Sequence, residues 1–216
     1  MRRLLCFGDS NTFGSVPMQR ADDTARFDAA TRWPGVLADR LGPQWRVIEE
    51  GLPSRTTTLD DPVEGRRLNG LARLSGRLKR HAPLDWVVLA LGTNDLKRPF
   101  ARSPGQIAAG AGALIECVQC EGPGPADEPP QVLLVIPPPV LPSPLFGELF
   151  AGAVEKSRQW QAPFTAEAER RRVRLLDAGE FISSSPVYGI HWEADMHRRL
   201  GEAVAETVSR SPRPAD

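Results

Sequence analysis

Four short stretches carry residues able to do acyl chemistry. Gly8-Asp9-Ser10-Asn11 presents a serine directly after an apolar run. A serine hydroxyl becomes a nucleophile only where a base takes its proton. Serine and asparagine also favour helix N-caps, so capping is the competing use of Ser10. Of the three histidines, His81 and His197 fall within helical patterns. His191 sits in the loop Tyr188-Gly189-Ile190-His191-Trp192 and is the candidate base, with a buried or capping role as its alternative. Gly92-Thr93-Asn94-Asp95 follows another apolar run. The Asn94 amide is suited to an oxyanion, although these residue types also favour plain turns. Gly51 can offer an unobstructed backbone N–H to the same charge.

The elements that must position these groups are read from periodicity. Apolar runs at Arg3–Phe7, Arg46–Glu49, Trp86–Leu91, Val132–Ile136 and Val173–Leu176 read as five strands, mostly continuous and so buried on both faces. Helical patterns run over Arg32–Leu41, Arg66–His81, Pro104–Cys120, Gly147–Arg171 and Glu193–Val208. Pro163 should kink or break the fourth of these. Regular alternation of strand and helix gives an α/β fold, a parallel sheet covered by helices on both faces. Ligands of such sheets bind beyond the carboxyl ends of the strands. Ser10, Gly51, Asn94 and His191 all follow strands, as that rule demands. Two proline-rich loops, Glu121–Pro130 and Pro137–Pro144, read as surface loops at a site rim or a subunit contact.

Composition narrows the function further. The 216 residues fit one domain, 1–216, with 209–216 expected to be a frayed tail. Lys+Arg and Asp+Glu are 27 each, which gives no electrostatic reason to bind nucleic acid or an anionic membrane. No apolar run is long enough to span a bilayer, and Gly8-Asp9-Ser10-Asn11 interrupts the N-terminal run before a signal segment could form. The expected location is cytoplasmic, and three cysteines suit a reducing compartment. Cys117 and Cys120 form a CxxC, but a zinc ribbon needs a second pair, and a redox pair belongs at a strand-to-helix turn. No metal site is expected. No Gly-x-Ser-x-Gly elbow, Walker loop, dinucleotide loop or His-Glu-x-x-His is present.

Gly8-Asp9-Ser10, Gly51, Gly92-Thr93-Asn94-Asp95 and Gly189-Ile190-His191, in this order, resemble the four blocks of the SGNH, or GDSL-type, hydrolases. The segments Val47–Leu52, Ser54-Arg55-Thr56-Thr57 and Pro137-Pro138-Pro139 bring the chain nearest the arylesterase/acyltransferase (perhydrolase) branch. The resemblance implies a three-layer, flavodoxin-like α/β/α sandwich on a five-stranded parallel sheet. It implies Ser10 as nucleophile, His191 as base, and Ser10, Gly51 and Asn94 as the oxyanion hole. It implies small esters as substrates, with water, alcohol or peroxide as acyl acceptor, no cofactor and a homo-oligomer.

Two positions depart from the pattern. Asn11 stands where many relatives have leucine. Tyr188 stands at the position of the family's triad aspartate. A phenol can hydrogen-bond an imidazole but stays neutral near pH 7, so it cannot balance an imidazolium as a carboxylate does. Three outcomes follow. His191 is oriented by a backbone carbonyl or by Tyr188; or Glu193 or Asp195 substitutes for the aspartate; or the chain is a weak or inactive acyl-ligand binder. A carbohydrate O-acetyl esterase on the same fold is a further alternative.

Overall fold

The structure, a computed structural model, describes residues 1–210. Five strands form one parallel sheet in the order β2-β1-β3-β4-β5. They are β1 (Arg2–Gly8), β2 (Trp45–Gly51), β3 (Trp86–Ala90), β4 (Gln131–Ile136) and β5 (Arg174–Asp177). The helices are α1 (Ser10–Phe13), α2 (Trp33–Leu41), α3 (Gly70–His81), α4 (Pro104–Glu121), α5 (Ala153–Ser157), α6 (Gln161–Arg171) and α7 (Ala194–Ser209). The α/β expectation is met, and no helix among the described residues is long and apolar enough to cross a membrane. Of the tail expected to fray, Ser209 closes α7, and residues 211–216 lie outside the described residues.

The period of two along a strand divides the core. Leu5 and Phe7 of β1 join Val87 and Leu89 of β3 on one face, under α3, α4 and α6. Leu4 and Cys6 join Trp86 and Val88 on the other, under α2 and α7. The interior strands β1, β3 and β4 are continuously apolar because both faces are covered. Edge strand β2 is only half-buried along most of its length, and its Glu49 and Glu50 are paired with Arg32 and His81.

Three sequence expectations change in detail. The third helix begins at Gly70, not Arg66, because the Leu68 carbonyl accepts from Thr56 N–H and Asn69 caps Ala72 N–H at 3.1 Å. The span Gly147–Arg171 is not one helix but turns followed by α5 and α6. Pro163 does not break it. It is the third residue of α6, and the first N–H used inside that helix is Phe164's, bonded to Trp160. A proline in that first turn removes no hydrogen bond. Finally, Gly51 ends β2 rather than following it, in register with Gly8.

The chain leaves β1 toward β2 on one side, and β3 lies on the other. This reversal of order opens a crevice at the carboxyl ends of β1 and β3, where Ser10 and Asn94 emerge.

Candidate active site

Ser10 is the first residue of the single-turn helix α1. It is not the cap. Asp9 takes that role, its carboxylate accepting from Asn11 N–H at 2.9 Å. Ser10 Oγ is thereby left free for another partner. That partner is His191, whose Nε2 lies 3.1 Å away. The two residues are 181 apart in sequence, so only the tertiary fold makes this pair.

The other ring nitrogen faces the main chain. His191 Nδ1 lies 3.1 Å from the carbonyl oxygen of Val16. A carbonyl can only accept, so Nδ1 carries the proton and Nε2 presents its lone pair to Ser10. That is the tautomer a general base requires. With both nitrogens occupied, neither Glu193 nor Asp195 substitutes for the aspartate. Glu193 instead accepts from Ser185 Oγ. Burial holds the His191 imidazole neutral, pushed down to about 4, and the Val16 hydrogen bond opposes this only partly.

Val16 is fixed by a local hairpin. Its N–H donates to Ala25 at 3.0 Å, and Phe27 N–H donates back to Gly14 at 2.8 Å. Pro17 follows, and a residue before proline is confined to extended backbone, which restricts the direction of the Val16 carbonyl. The histidine loop is tied from three sides. Ser185 N–H donates to the His191 carbonyl, and Leu141 N–H of the second proline-rich loop donates to Gly189, both at 2.8 Å. Asn11 Nδ2 donates to the Ile190 carbonyl at 3.3 Å, joining the Ser10 helix to the residue beside His191. Gly189 has φ 85, and a Cβ there would meet the Leu141 carbonyl at 2.5 Å, so the turn demands glycine.

Asn94 lies in a 3-10 turn over Thr93–Leu96. One hydrogen of its amide is held by the Arg55 carbonyl at 3.1 Å. The neighbouring Asp95 accepts from Thr57 N–H and Thr57 Oγ1, which fastens the turn to the segment after β2. Buried Arg55 donates to the carbonyls of Gly8 and Glu50, bracing the ends of β1 and β2, and lies 4.1 Å from the Phe7 ring centre. Burial also pushes the Asp9 carboxyl up to about 7 and that of Asp95 to about 6, each opposed by the hydrogen bonds it accepts.

Gly51 does not line the cavity beside Ser10. A Cβ on it would lie 2.2 Å from Phe13 N, so its glycine lets β2 pack against α1. Ser54 reaches the cavity in its place, with left-handed backbone at φ 64. The cavity has a volume of about 460 Å³ and is mainly apolar, with Phe13, Phe146, Leu149 and Tyr188 among its walls. Lys97 also borders it. Among the described residues no cluster of His, Cys, Asp or Glu is arranged to hold a metal. Cys117 is buried within α4 and Cys120 is exposed, one helical turn apart and unbridged.

Sequence reasoning identified the Ser10, His191 and Asn94 positions that meet here. It missed Ser54 and the place of Asn11. It offered an unspecified backbone carbonyl as one of several orienting groups and did not point to Val16. The Val16-Pro17 pair was the available signal for the last.

Solved structures share this arrangement of chain. An aryl esterase of M. smegmatis in its inhibitor-bound form is similar at a TM-score of 0.93 and 43% identity, over 97% of this chain and 99% of that one. A carbohydrate acetylesterase from Sinorhizobium meliloti gives the same TM-score, identity and coverage. A second carbohydrate acetylesterase family member from that organism is 33% identical at a TM-score of 0.87, covering 96% and 97% of the two chains. No curated protein sequence matches. Residues 6–199, which hold the serine, asparagine and histidine just described, match the family model of the GDSL-like lipases/acylhydrolases. With that match spanning nearly the whole chain, the protein belongs to the GDSL-like lipase/acylhydrolase family and is an ester hydrolase.

Proposed function

We propose that Ser10 and His191 work as a dyad in a serine esterase and acyltransferase for small carboxylic esters. The observation that carries this is the chain of contacts Val16 carbonyl–His191–Ser10, each 3.1 Å, which leaves Nε2 unprotonated toward the hydroxyl. Ser10 Oγ attacks the ester carbonyl, and its proton passes to Nε2. The oxyanion is met by Ser10 N–H and by the second hydrogen of the Asn94 amide. We assign the third donor to Ser54 N–H rather than Gly51, since Ser54 borders the cavity. The tetrahedral adduct then collapses. The imidazolium returns its proton to the departing alkoxide, leaving acyl-Ser10. Water, an alcohol or a peroxide attacks next with His191 again as base, and Ser10 is regenerated. Only an acyl group and protons move, so the steps call on no metal or organic cofactor.

Hydrolysis of p-nitrophenyl acetate, with an organophosphonate as covalent probe, tests the reading. Ser10→Ala should lower kcat by about 10⁴-fold or more and abolish labelling. Unchanged turnover in that variant would sink the mechanism. A parent that shows neither labelling nor turnover would favour an acyl-ligand binder. The likeness to two S. meliloti carbohydrate acetylesterases favours a second reading, an esterase for acetylated sugars. Comparing kcat/KM for an acetylated sugar and an aryl acetate separates the two. We further infer a cytoplasmic homo-oligomer. The free cysteines suit a reducing compartment, and exposed Phe181 and Val187 offer apolar surface for self-association near the histidine loop. Light scattering would test the assembly.

A further inference from the structure

The family's aspartate does two things for its histidine: it orients the ring, and it stabilises the positive charge that appears on it during attack. The Val16 carbonyl covers orientation and tautomer. It is neutral, and so it offers little against the charge. The residue standing in the aspartate's place is an aromatic ring packed on the imidazole. Tyr188 and His191 have ring centroids 4.4 Å apart with planes tilted by 45°. Phe146 fixes the Tyr188 plane from another side, edge-on at 5.9 Å and 90°. Tyr188 is buried, and its phenol is pushed up to about 12 by that burial, so it remains neutral throughout the working range.

We propose that Tyr188 acts as a positioning residue whose ring stabilises the His191 imidazolium through its π face, supplying the charge role of the missing aspartate. A cation within about 6 Å of a tyrosine ring centroid is attracted by the ring quadrupole, and more strongly where water is excluded. The resting imidazole is neutral and gains little. The imidazolium formed as Ser10 gives up its proton gains the full interaction, which therefore favours the transition state over the ground state. The role belongs to the ring and not to the hydroxyl. The inference rests on the Ser10–His191 reading above.

The experiment exploits a property of the composition: Tyr188 is the only tyrosine in the chain. Expression with 3-fluorotyrosine therefore changes this ring alone, withdrawing π density with almost no change of shape. The readouts are kcat for p-nitrophenyl acetate, the rate of Ser10 phosphonylation, and the acid limb of kcat/KM, which reports the imidazolium. Of the other titratable groups, His197 faces His191, and Lys97 and Asp23 border the same cavity; none is altered in these variants. Tyr188→Phe should stay within about twofold of the parent, because phenylalanine keeps the π face. Tyr188→Leu should lose about tenfold in both rates and move the acid limb to lower pH. The fluorinated protein should fall between them. If Tyr188→Leu equals the parent, the proposal is wrong. It is equally wrong if leucine is slow while the fluorinated protein matches the parent, since the ring then only fills space. Retained turnover in Ser10→Ala would instead overturn the underlying dyad, whatever the Tyr188 variants do.

Discussion

Ser10 and His191 reach one hydrogen bond from supports of different kinds. The serine stands on the end of β1, an interior strand of the sheet, with its helix braced by the Asp9 cap and by close packing on Gly51. The histidine stands on a loop between β5 and α7, where the ring meets the Val16 carbonyl and the loop's own Ile190 and Gly189 carbonyls accept from Asn11 Nδ2 and Leu141 N–H. One partner is fixed by the sheet, the other by main-chain hydrogen bonds between loops. Loops tolerate sequence change better than strands do. The departure at the triad position falls on the loop side, at Tyr188, where another loop's carbonyl already supplies the orientation.

After Ser10→Ala, the largest expected effect is again at the sheet side. Asn94→Ala should lower kcat by about 10²–10³-fold while leaving Ser10 open to organophosphonate, because it removes a donor to the oxyanion and not the nucleophile. A loss under about threefold would remove Asn94 from the oxyanion site. Next in size is a pH effect at the loop side. Burial depresses the His191 value from the ordinary 6.5 to about 4, so the base stays unprotonated well into acid. Its active form is lost only as pH falls through that depressed value. The acid limb of kcat/KM should then lie near pH 4–5. A base titrating at the ordinary value would retain only about 3% of its activity at pH 5. A limb centred at 6.5 would contradict the buried, carbonyl-paired geometry. The smallest effect tests the link between the two sides. Asn11→Ala removes the hydrogen bond to Ile190 and should lower kcat about threefold, with KM little changed. Steady-state kinetics on one aryl ester would check it, and a change of 10²-fold would mean that Asn11 does more than tie the loops.

Side-chain chemistry and element type were legible in the sequence for physical reasons. A serine after an apolar run, an asparagine in a Gly-Thr-Asn-Asp turn and a histidine opening the last helix announce themselves by residue type. Continuous apolar runs likewise announced the doubly covered strands β1, β3 and β4. What the sequence left open or misplaced belongs to the main chain. The Val16 carbonyl is common to every residue type, so only its fold neighbours and Pro17 mark it out. Gly51 stays ambiguous in the sequence because a glycine is compatible both with offering an N–H and with admitting a neighbouring helix, and only the fold displays the close approach of α1. The expected break at Pro163 failed because a proline reads alike at the start and in the middle of a helix, and only the hydrogen-bond pattern separates the two.

The choice of a carbonyl to orient the base has a consequence for heritable change. An aspartate can be erased by a single codon change. The oxygen of Val16 survives every substitution at its own position, since all amino acids carry it. Replacing Val16 by alanine would trim a side chain and leave the acceptor in place. Damage has to come indirectly, through whatever bends the hairpin at Gly14, Ala25 or Pro17. A survey that truncates side chains one at a time would therefore pass over the group that sets the histidine's tautomer. The orienting function is thus spread over a fold, where mutation erodes it gradually and does not delete it in one step.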